Sequence, residues 1–554
     1  MIDRIRALSL AIGLLLGISA EGQDRLPLSF SVKDLSSELI PTKKLPPIPK
    51  KAPAALRSEG RSSRYLKRLE FGSTLATSIS INSEGKSDTV RSTIIHRIMV
   101  KSEGAKCLTL KLSVDQVSGF DSRNIFVYTP TRTFVASVLA KLSDKSTVVL
   151  PLVPGDCAVV EVEKPVGSKA AFTISEVVHG DRLPLKGYGS DAEVSGACMV
   201  DISCAEGQEW QVEKNSIVKI LIATELGERM CSGVLVNNTS KNRHPYLLTA
   251  NHCILSGEDA KNSVFYFGNE KKSCGSDNIF VGYSISGATL VASGYQGKTD
   301  FALLELSQAP PAEYLPYFAG WDVRRKPFTE PGATCLHHPN GDAKKISVDF
   351  DTPIAADFNE LDPTAGFEAN THWHVERWDI GATEGGSSGA ALFNSKHLVV
   401  GNLTGGLADC SNPVDDYFSR INAAWSSNPD PKYQLKYWLD PAKTGDSTLL
   451  GMGNNVVFFG TIEPSNVSVY PIPVYGGTIH IRIKPAEDNS SFVYYGSLVV
   501  SLYDVNGRKL GATPFTDPSE TFDYNLPTAN PGMYLLEIAA KERRVVKKII
   551  ILGR

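Results

Sequence analysis

Residues 381–392 read G-A-T-E-G-G-S-S-G-A-A-L, a serine set between glycines on a short loop, with an apolar run returning the chain inward. A hydroxyl is a poor nucleophile at neutral pH, so it needs a base within hydrogen-bond reach and donors for the oxyanion that develops. Flanking glycines let the backbone turn until several N–H groups face one point. Ser388 is then the nucleophile, and the N–H groups of Gly386 and Ser388 are the oxyanion donors. Alone, the stretch also reads as a Gly/Ser surface turn, so its partners decide. They lie upstream: His252 closes L-L-T-A-N-H-C, and Asp300 opens residues 299–306, T-D-F-A-L-L-E-L, just before an apolar strand.

The chain order His252, Asp300, Ser388 is that of the chymotrypsin-type proteases. From about residue 194 to about residue 453 the chain resembles the bacterial lysyl endopeptidases, a branch of that clan. The resemblance rests on S-G-A-C (195–198), C-S-G-V-L-V-N-N (231–238), L-T-A-N-H-C, T-D-F-A-L-L-E-L, A-G-W-D-V-R-R (319–325), H-H-P-N (337–340), T-E-G-G-S-S-G and the G-G-L-A-D-C run that ends at Cys410. It implies a double β-barrel with the site in the cleft between the barrels. It also implies disulfides pairing Cys198 with Cys410, Cys204 with Cys274 and Cys231 with Cys253; sequence alone leaves the pairing of six cysteines open. Cys335 is left over and reads as a buried free thiol.

Specificity is read from the pocket positions. Six residues before Ser388, where trypsin carries its pocket-floor aspartate, stands Ala382, which excludes a trypsin-type floor. The resemblance implies a carboxylate in a D-x-Y motif after the last cysteine, and Asp415 takes that place. A buried carboxylate on the pocket wall favours the compact ammonium of lysine over the wider arginine fork. Gly405 and Gly406 line the same pocket. Thr404 replaces the family's pocket-side histidine, and Trp321 matches the tryptophan on which that histidine stacks. In chymotrypsin-type zymogens an aspartate before the nucleophile receives the new N-terminal amine. Here that position is the uncharged Ser387, so activation must remove a steric or folding block. His372 with His374, and His337 with His338, have spacings that a metal could use, but no third ligand motif accompanies them and no metal or cofactor is expected.

The elements that must position these groups are short alternating strands separated by Gly/Asn/Ser turns, an all-β pattern. Arg4 and Arg6 followed by an apolar stretch to Ala20 read as a secretory signal peptide, residues 1–20. Residues 21–190 read as a propeptide, Pro/Lys-rich at first, then a β-sandwich-like domain with strands near 93–100, 108–114, 124–128, 147–153 and 158–162. One disulfide between Cys107 and Cys157 is expected to staple it. Lys186 before Gly187 is a candidate self-cleavage point, or a chance lysine in a linker. Residues 191–453 are the protease domain, ending in a helix within 423–453. Residues 461–554 form a small β-sandwich with strands at 467–474, 500–510, 531–538 and 545–552 and a hairpin turn at Asn506 and Gly507. This last region resembles the C-terminal sorting domain of the type IX secretion system.

The length of 554 residues predicts several domains. A 42% apolar and 21% charged composition with a net charge of −3 is globular and carries no nucleic-acid footprint. The sequence thus predicts a secreted or surface serine endopeptidase, made as a precursor and acting as a monomer, that hydrolyses proteins or peptides after lysine. Its C-terminal domain would engage the secretion machinery. Two other readings stay open: a serine protease with a non-basic preference, or an inactive surface adhesin or scaffold.

Overall fold

The computed structural model describes residues 26–453 and 467–552, except 33–34, 36–38, 49–64, 118, 185–194, 281, 476, 484–496, 517–520, 528–529 and 541–542. The expected signal peptide and Lys186 lie outside the described residues. No helix among those described is long and apolar enough to cross a membrane.

The N-terminal domain is two facing sheets. Thr42–Lys44, Thr93–Lys101, Cys157–Pro165, Ile125–Tyr128 and Val135–Ser137 lie side by side in one. Val153–Pro154, Cys107–Gln116, Ala171–Gly180 and Ser73–Ser80 lie side by side in the other. Successive strand side chains point to opposite faces, so Leu108, Leu110, Leu112 and Val114 enter one core together. There they meet Ile98, Val100, Val160 and Val162 from the opposite sheet. Each such buried side chain stabilises the domain by about 1.5–3 kcal/mol. The expected staple is absent: Cys107 and Cys157 are both free thiols. Cys107 turns toward the Arg182 carbonyl at 3.1 Å and packs with Phe71 and Leu183, outside the space between the sheets. Cys157, at the start of a strand in the other sheet, stays partly exposed.

The protease region is two sheets, each curled around its own core. The first runs Tyr283–Ser286, Ser263–Phe267, Ile217–Thr224, Gly227–Leu235, Tyr246–Thr249, Ala302–Leu306, Ala288–Ser293. The second runs Val200–Asp201, Lys345–Asp349, Ala333–His337, Ala391–Asn394, Val399–Gly406, Val414–Arg420, His372–Arg377, Ile354–Ala356. Val234, Leu248 and Leu303 of the first pack with Leu336, Ala391 and Phe393 of the second, so one apolar layer fixes the barrels against each other. Three disulfides are present: Cys198–Cys410, Cys204–Cys274 and Cys231–Cys253. Cys335 is a buried free thiol.

The helix expected within 423–453 is instead two four-residue helices, Ile421–Ala424 and Lys436–Leu439. Pro429 and Pro431 stand between them, where each lacks the N–H that a continuous helix needs. Leu435 and Leu439 insert into the layer between the barrels.

The C-terminal domain is again two sheets, Val467–Tyr470 with Thr478–Ile483 and Thr521–Asn525, and Lys509–Thr516 with Ser497–Asp504, Gly532–Ala540 and Arg543–Ile551. The run 500–510 holds a turn, as expected, between Ser497–Asp504 and Lys509–Thr516. Only Gly507 of the expected Asn–Gly pair has a left-handed φ, +79°. The Asp504 carboxylate accepts the N–H groups of Asn506 and Arg508, which sets a longer loop than a two-residue hairpin.

Candidate active site

His252 follows the Tyr246–Thr249 strand, and the neighbouring Cys253 is bonded to Cys231 on the adjacent strand. Asp300 sits at the mouth of Ala302–Leu306, which pairs with Tyr246–Thr249. Two neighbouring strands thus carry base and orienting carboxylate to the same end of the first barrel. The imidazole Nδ1 lies 2.8 Å from Asp300 Oδ2, and the His252 backbone N–H donates to Oδ1 at 3.0 Å. The other ring nitrogen, Nε2, is 2.6 Å from Ser388 Oγ. Burial alone would raise the Asp300 carboxyl, but the charge and hydrogen bonds of His252 outweigh it and hold it below its ordinary range. Asn402 donates to the Asp300 carbonyl at 2.7 Å, and the Asp300 N–H donates to Ser419 at 3.2 Å. These two residues of the second barrel were not legible as site residues in the sequence.

Ser388 lies on the loop before Ala391–Asn394, in the second barrel. The loop is tied across the cleft by Ser232, whose N–H donates to the Ser388 carbonyl (2.7 Å) and whose hydroxyl donates to that of Gly386 (3.0 Å). Gly386 has φ +94°, and a Cβ there would lie 2.9 Å from the His338 carbonyl oxygen, so glycine is required. The N–H groups of Gly386 and Ser388 converge on one oxygen, at 2.5 and 3.1 Å. That oxygen is the carbonyl of Lys67, from the N-terminal region.

Ser387 makes this geometry possible without a charge. Its Oγ is 2.7 Å from His337 Nδ1, and His337 Nε2 is 3.1 Å from Ser347 Oγ, which donates to the Ala382 carbonyl at 2.7 Å. Because Ser347 spends its proton on Ala382, it accepts from Nε2–H, so Nδ1 accepts from Ser387. The Ser387 oxygen is then free to accept the Glu384 N–H at 3.2 Å. Burial pushes the His337 imidazole down to about 3, so the ring is neutral at physiological pH. His338 donates its N–H to Ser232 at 3.0 Å. His337 and His338 therefore belong to the scaffold of the serine loop.

The pocket positions separate into two groups. Gly405 and Gly406 lie along the cleft: Gly406 N–H donates to the Tyr65 carbonyl at 2.9 Å, and Leu66 bridges Gly405. Thr404 lies behind them, 3.1 Å from His372 Nε2, and its hydroxyl also bonds Asp300. Trp321 is elsewhere. It is fully buried between the barrels, donates to the Asn237 carbonyl and packs on Trp425 with ring centres 4.7 Å apart.

The carboxylate that lies toward Lys67 is Asp416, whereas Asp415, expected in the pocket, turns to His374. Alternation along Val414–Arg420 puts Asp415 and Tyr417 on one face and Asp416 on the other. Asp415 bonds His374 Nε2 at 2.9 Å, and that ring stacks on Tyr417. Asp416 is fully buried. Its Oδ2 accepts from Trp378 Nε1 (2.8 Å) and Thr383 Oγ1 (2.7 Å), while Oδ1 has no hydrogen-bond partner among the described residues. Burial raises its carboxyl above the ordinary range, and the nearby Lys67 ammonium opposes that shift. Lys67 Nζ donates to the carbonyls of Thr383, at 3.5 Å, and Ala408.

Residues 192–419 match the lysyl endopeptidase C-terminal domain family, and residues 468–552 match the secretion system C-terminal sorting domain. A lysyl endopeptidase of Pseudomonas aeruginosa is 28% identical over 297 residues, covering 50% of this chain and 61% of the relative. The chain thus spans about three fifths of that relative's length. Among solved structures, an inactivated protease paralogue of the scabies mite is 17% identical, covering 38% of this chain and 91% of its own, with a TM-score of 0.29. A serine endoprotease from Yersinia pestis is 14% identical, covering 65% and 100%, with a TM-score of 0.27; both overlays are loose. The chain carries a lysyl endopeptidase-family domain over residues 192–419 and, after it, a secretion system C-terminal sorting domain.

Proposed function

We propose that this chain is a serine endopeptidase that hydrolyses peptide bonds on the carboxyl side of lysine. Ser388 Oγ attacks the carbonyl carbon while His252 Nε2 takes its proton. The N–H groups of Gly386 and Ser388 hold the oxyanion, where each donor contributes roughly 10²–10³ in turnover. His252 then protonates the leaving amine, and water releases the acyl group by the same steps in reverse. Asp300 keeps Nδ1 protonated and stabilises the imidazolium.

Lysine preference follows from Asp416, a buried carboxylate with an open acceptor and a raised pKa, which gains most from an ammonium that comes to it. The observation that carries the reading is Lys67, whose ammonium enters this pocket while its carbonyl meets the oxyanion donors. The substrates are proteins or peptides presenting an accessible lysine. The sorting domain would carry the chain to the outer-membrane export machinery, and the N-terminal domain would act as a propeptide. A serine-directed probe should label the wild-type protein and leave Ser388→Ala unlabelled. Equal labelling of both would remove Ser388 as the nucleophile.

A further inference from the structure

Residues 65–71 cross the cleft in the manner of a peptide substrate. On one side of the Lys67 carbonyl, the Tyr65 carbonyl accepts from Gly406 at 2.9 Å and Leu66 forms an antiparallel bridge with Gly405. On the other side, Arg68 Nη1 donates to the His252 carbonyl at 3.2 Å. Leu69–Phe71 then pairs antiparallel with the Gly227–Leu235 strand, with Leu69 opposite Met230 and Phe71 opposite Glu228. Strand-like main-chain bonds on both sides align a single carbonyl with the nucleophile, and that alignment is what bound substrates need. The residue in the pocket is a lysine.

We propose that the peptide bond between Lys67 and Arg68 is the chain's own first substrate, cut by the molecule that carries it, and that the segment blocks the site until both new ends have left. This rests on the lysine reading above. Ser388 Oγ adds to the Lys67 carbonyl carbon, its proton passes to His252, and the C–N bond breaks as that proton moves to the Arg68 nitrogen. One water then hydrolyses the acyl-enzyme, leaving a Lys67 carboxylate and an Arg68 amine.

Both ends are anchored to the same domain, which is why the segment is an inhibitor as well as a substrate. Upstream, Thr42–Lys44 pairs with Thr93–Lys101 of the N-terminal sandwich. Downstream, Leu69–Phe71 leads through Gly72 into Ser73–Ser80 of the same sandwich. That sandwich is docked on the first barrel. Leu152 N–H donates to Tyr266 Oη (2.8 Å), Ser286 N–H to the Leu139 carbonyl (2.8 Å), and Ser286 Oγ to that of Val149 (2.7 Å). After the cut, the Arg68 amine stays beside the acyl-enzyme at high effective concentration and competes with water, so the bond reforms and net release is slow. The lysine in the cleft is Lys67; Lys186, the candidate cleavage point expected from the sequence, lies outside the described residues.

The full-length precursor should be purified as wild type, Ser388→Ala and Lys67→Gln, and its new N-termini followed by mass spectrometry over a dilution series. Hydrolysis of a small lysyl ester is measured alongside. The expected result is an Arg68 terminus from wild type at a rate independent of concentration and none from Ser388→Ala. Lys67→Gln should yield it at least about tenfold more slowly, with ester hydrolysis appearing equally late because the uncut segment still blocks the site. An Arg68 terminus from Ser388→Ala overturns the proposal. A wild-type chain that hydrolyses the lysyl ester but never shows that terminus overturns this inference alone. A wild-type chain that labels at Ser388 yet hydrolyses neither the ester nor itself overturns the lysine reading and this inference with it.

Discussion

Asp415 and Asp416 are adjacent in sequence and opposite in circumstance, and substituting each tests the pocket assignment. Asp416→Asn removes the charge that receives the lysine ammonium. Losing one partner of a buried charge pair costs about 3–5 kcal/mol, which corresponds to roughly 150- to 5,000-fold in kcat/KM for lysyl peptides. Asp415→Asn, which loses only a rim contact to His374, should stay within about threefold. The pH profile carries the same information. Asp416 recognises lysine only when ionised, and burial raises its pKa. Its kcat/KM for lysyl substrates should therefore fall as pH is lowered through a range above that of ordinary carboxylates. Asp416→Asn should lack that acid limb. The sequence points to this turn, but a D-x-Y spacing does not state whether Asp415 or Asp416 faces inward. It also could not show Asn402 or Ser419 behind Asp300, since polar residues inside apolar runs look alike until the strands are paired.

At the scale of elements, the serine loop is held by neutral hydrogen bonds where a zymogen of the chymotrypsin type waits for a charge. The Ser387–His337–Ser347 chain is complete while the N-terminal region is still attached. His337→Ala should leave Glu384, Ser387 and the Gly386 N–H poorly fixed. Turnover should then drop by roughly 10²-fold with a smaller change in KM, measured on a lysyl ester. An unchanged kcat would mean that Ser232 and the flanking strands suffice to shape the loop. The uncharged Ser387 was legible in the sequence. Its partner was not: His337 belongs to H-H-P-N, whose adjacent histidines do not by spacing alone name a hydrogen-bond partner. The strand near 108–114 was legible because its apolar alternation is strict, and those near 93–100 and 158–162 because they are rich in β-branched residues. Ser73–Ser80 was not, since its exposed and half-buried serines and threonines blur the period.

At the scale of the whole molecule, the C-terminal domain is fastened to the protease by a buried charge. Arg482 Nη1 lies 2.5 Å and His397 Nδ1 2.9 Å from Glu213 Oε1, and the His397 ring is stacked between Trp210 and Tyr470. Burial would raise the Glu213 carboxyl, but Arg482 and His397 together hold it down at about 2, from an ordinary value of 4.5. A carboxyl depressed on folding contributes stability that is present above the ordinary value and lost as pH falls toward the depressed one. Limited proteolysis between residues 453 and 467 should therefore speed up as pH drops from about 4.5 to about 2. Arg482→Met, which leaves Glu213 with His397 as its remaining charged partner, should show faster cleavage already at neutral pH. Insensitivity to both changes would mean that the aromatic stack alone holds the domains together. Cys107 and Cys157 taught the opposite lesson about reading at this scale. Two cysteines bracketing a β-region suggested a staple, but side-chain direction turned one thiol out of the sandwich.

The measurement that bears most directly on the function is cleavage-site mapping. A mixed peptide pool is digested with the purified protein, with Ser388→Ala and Asp416→Asn alongside, and the new termini are sequenced. Cuts after lysine that vanish in Ser388→Ala and fall at least about a hundredfold in Asp416→Asn are the predicted result. Cuts after small or apolar residues that survive Asp416→Asn would contradict it.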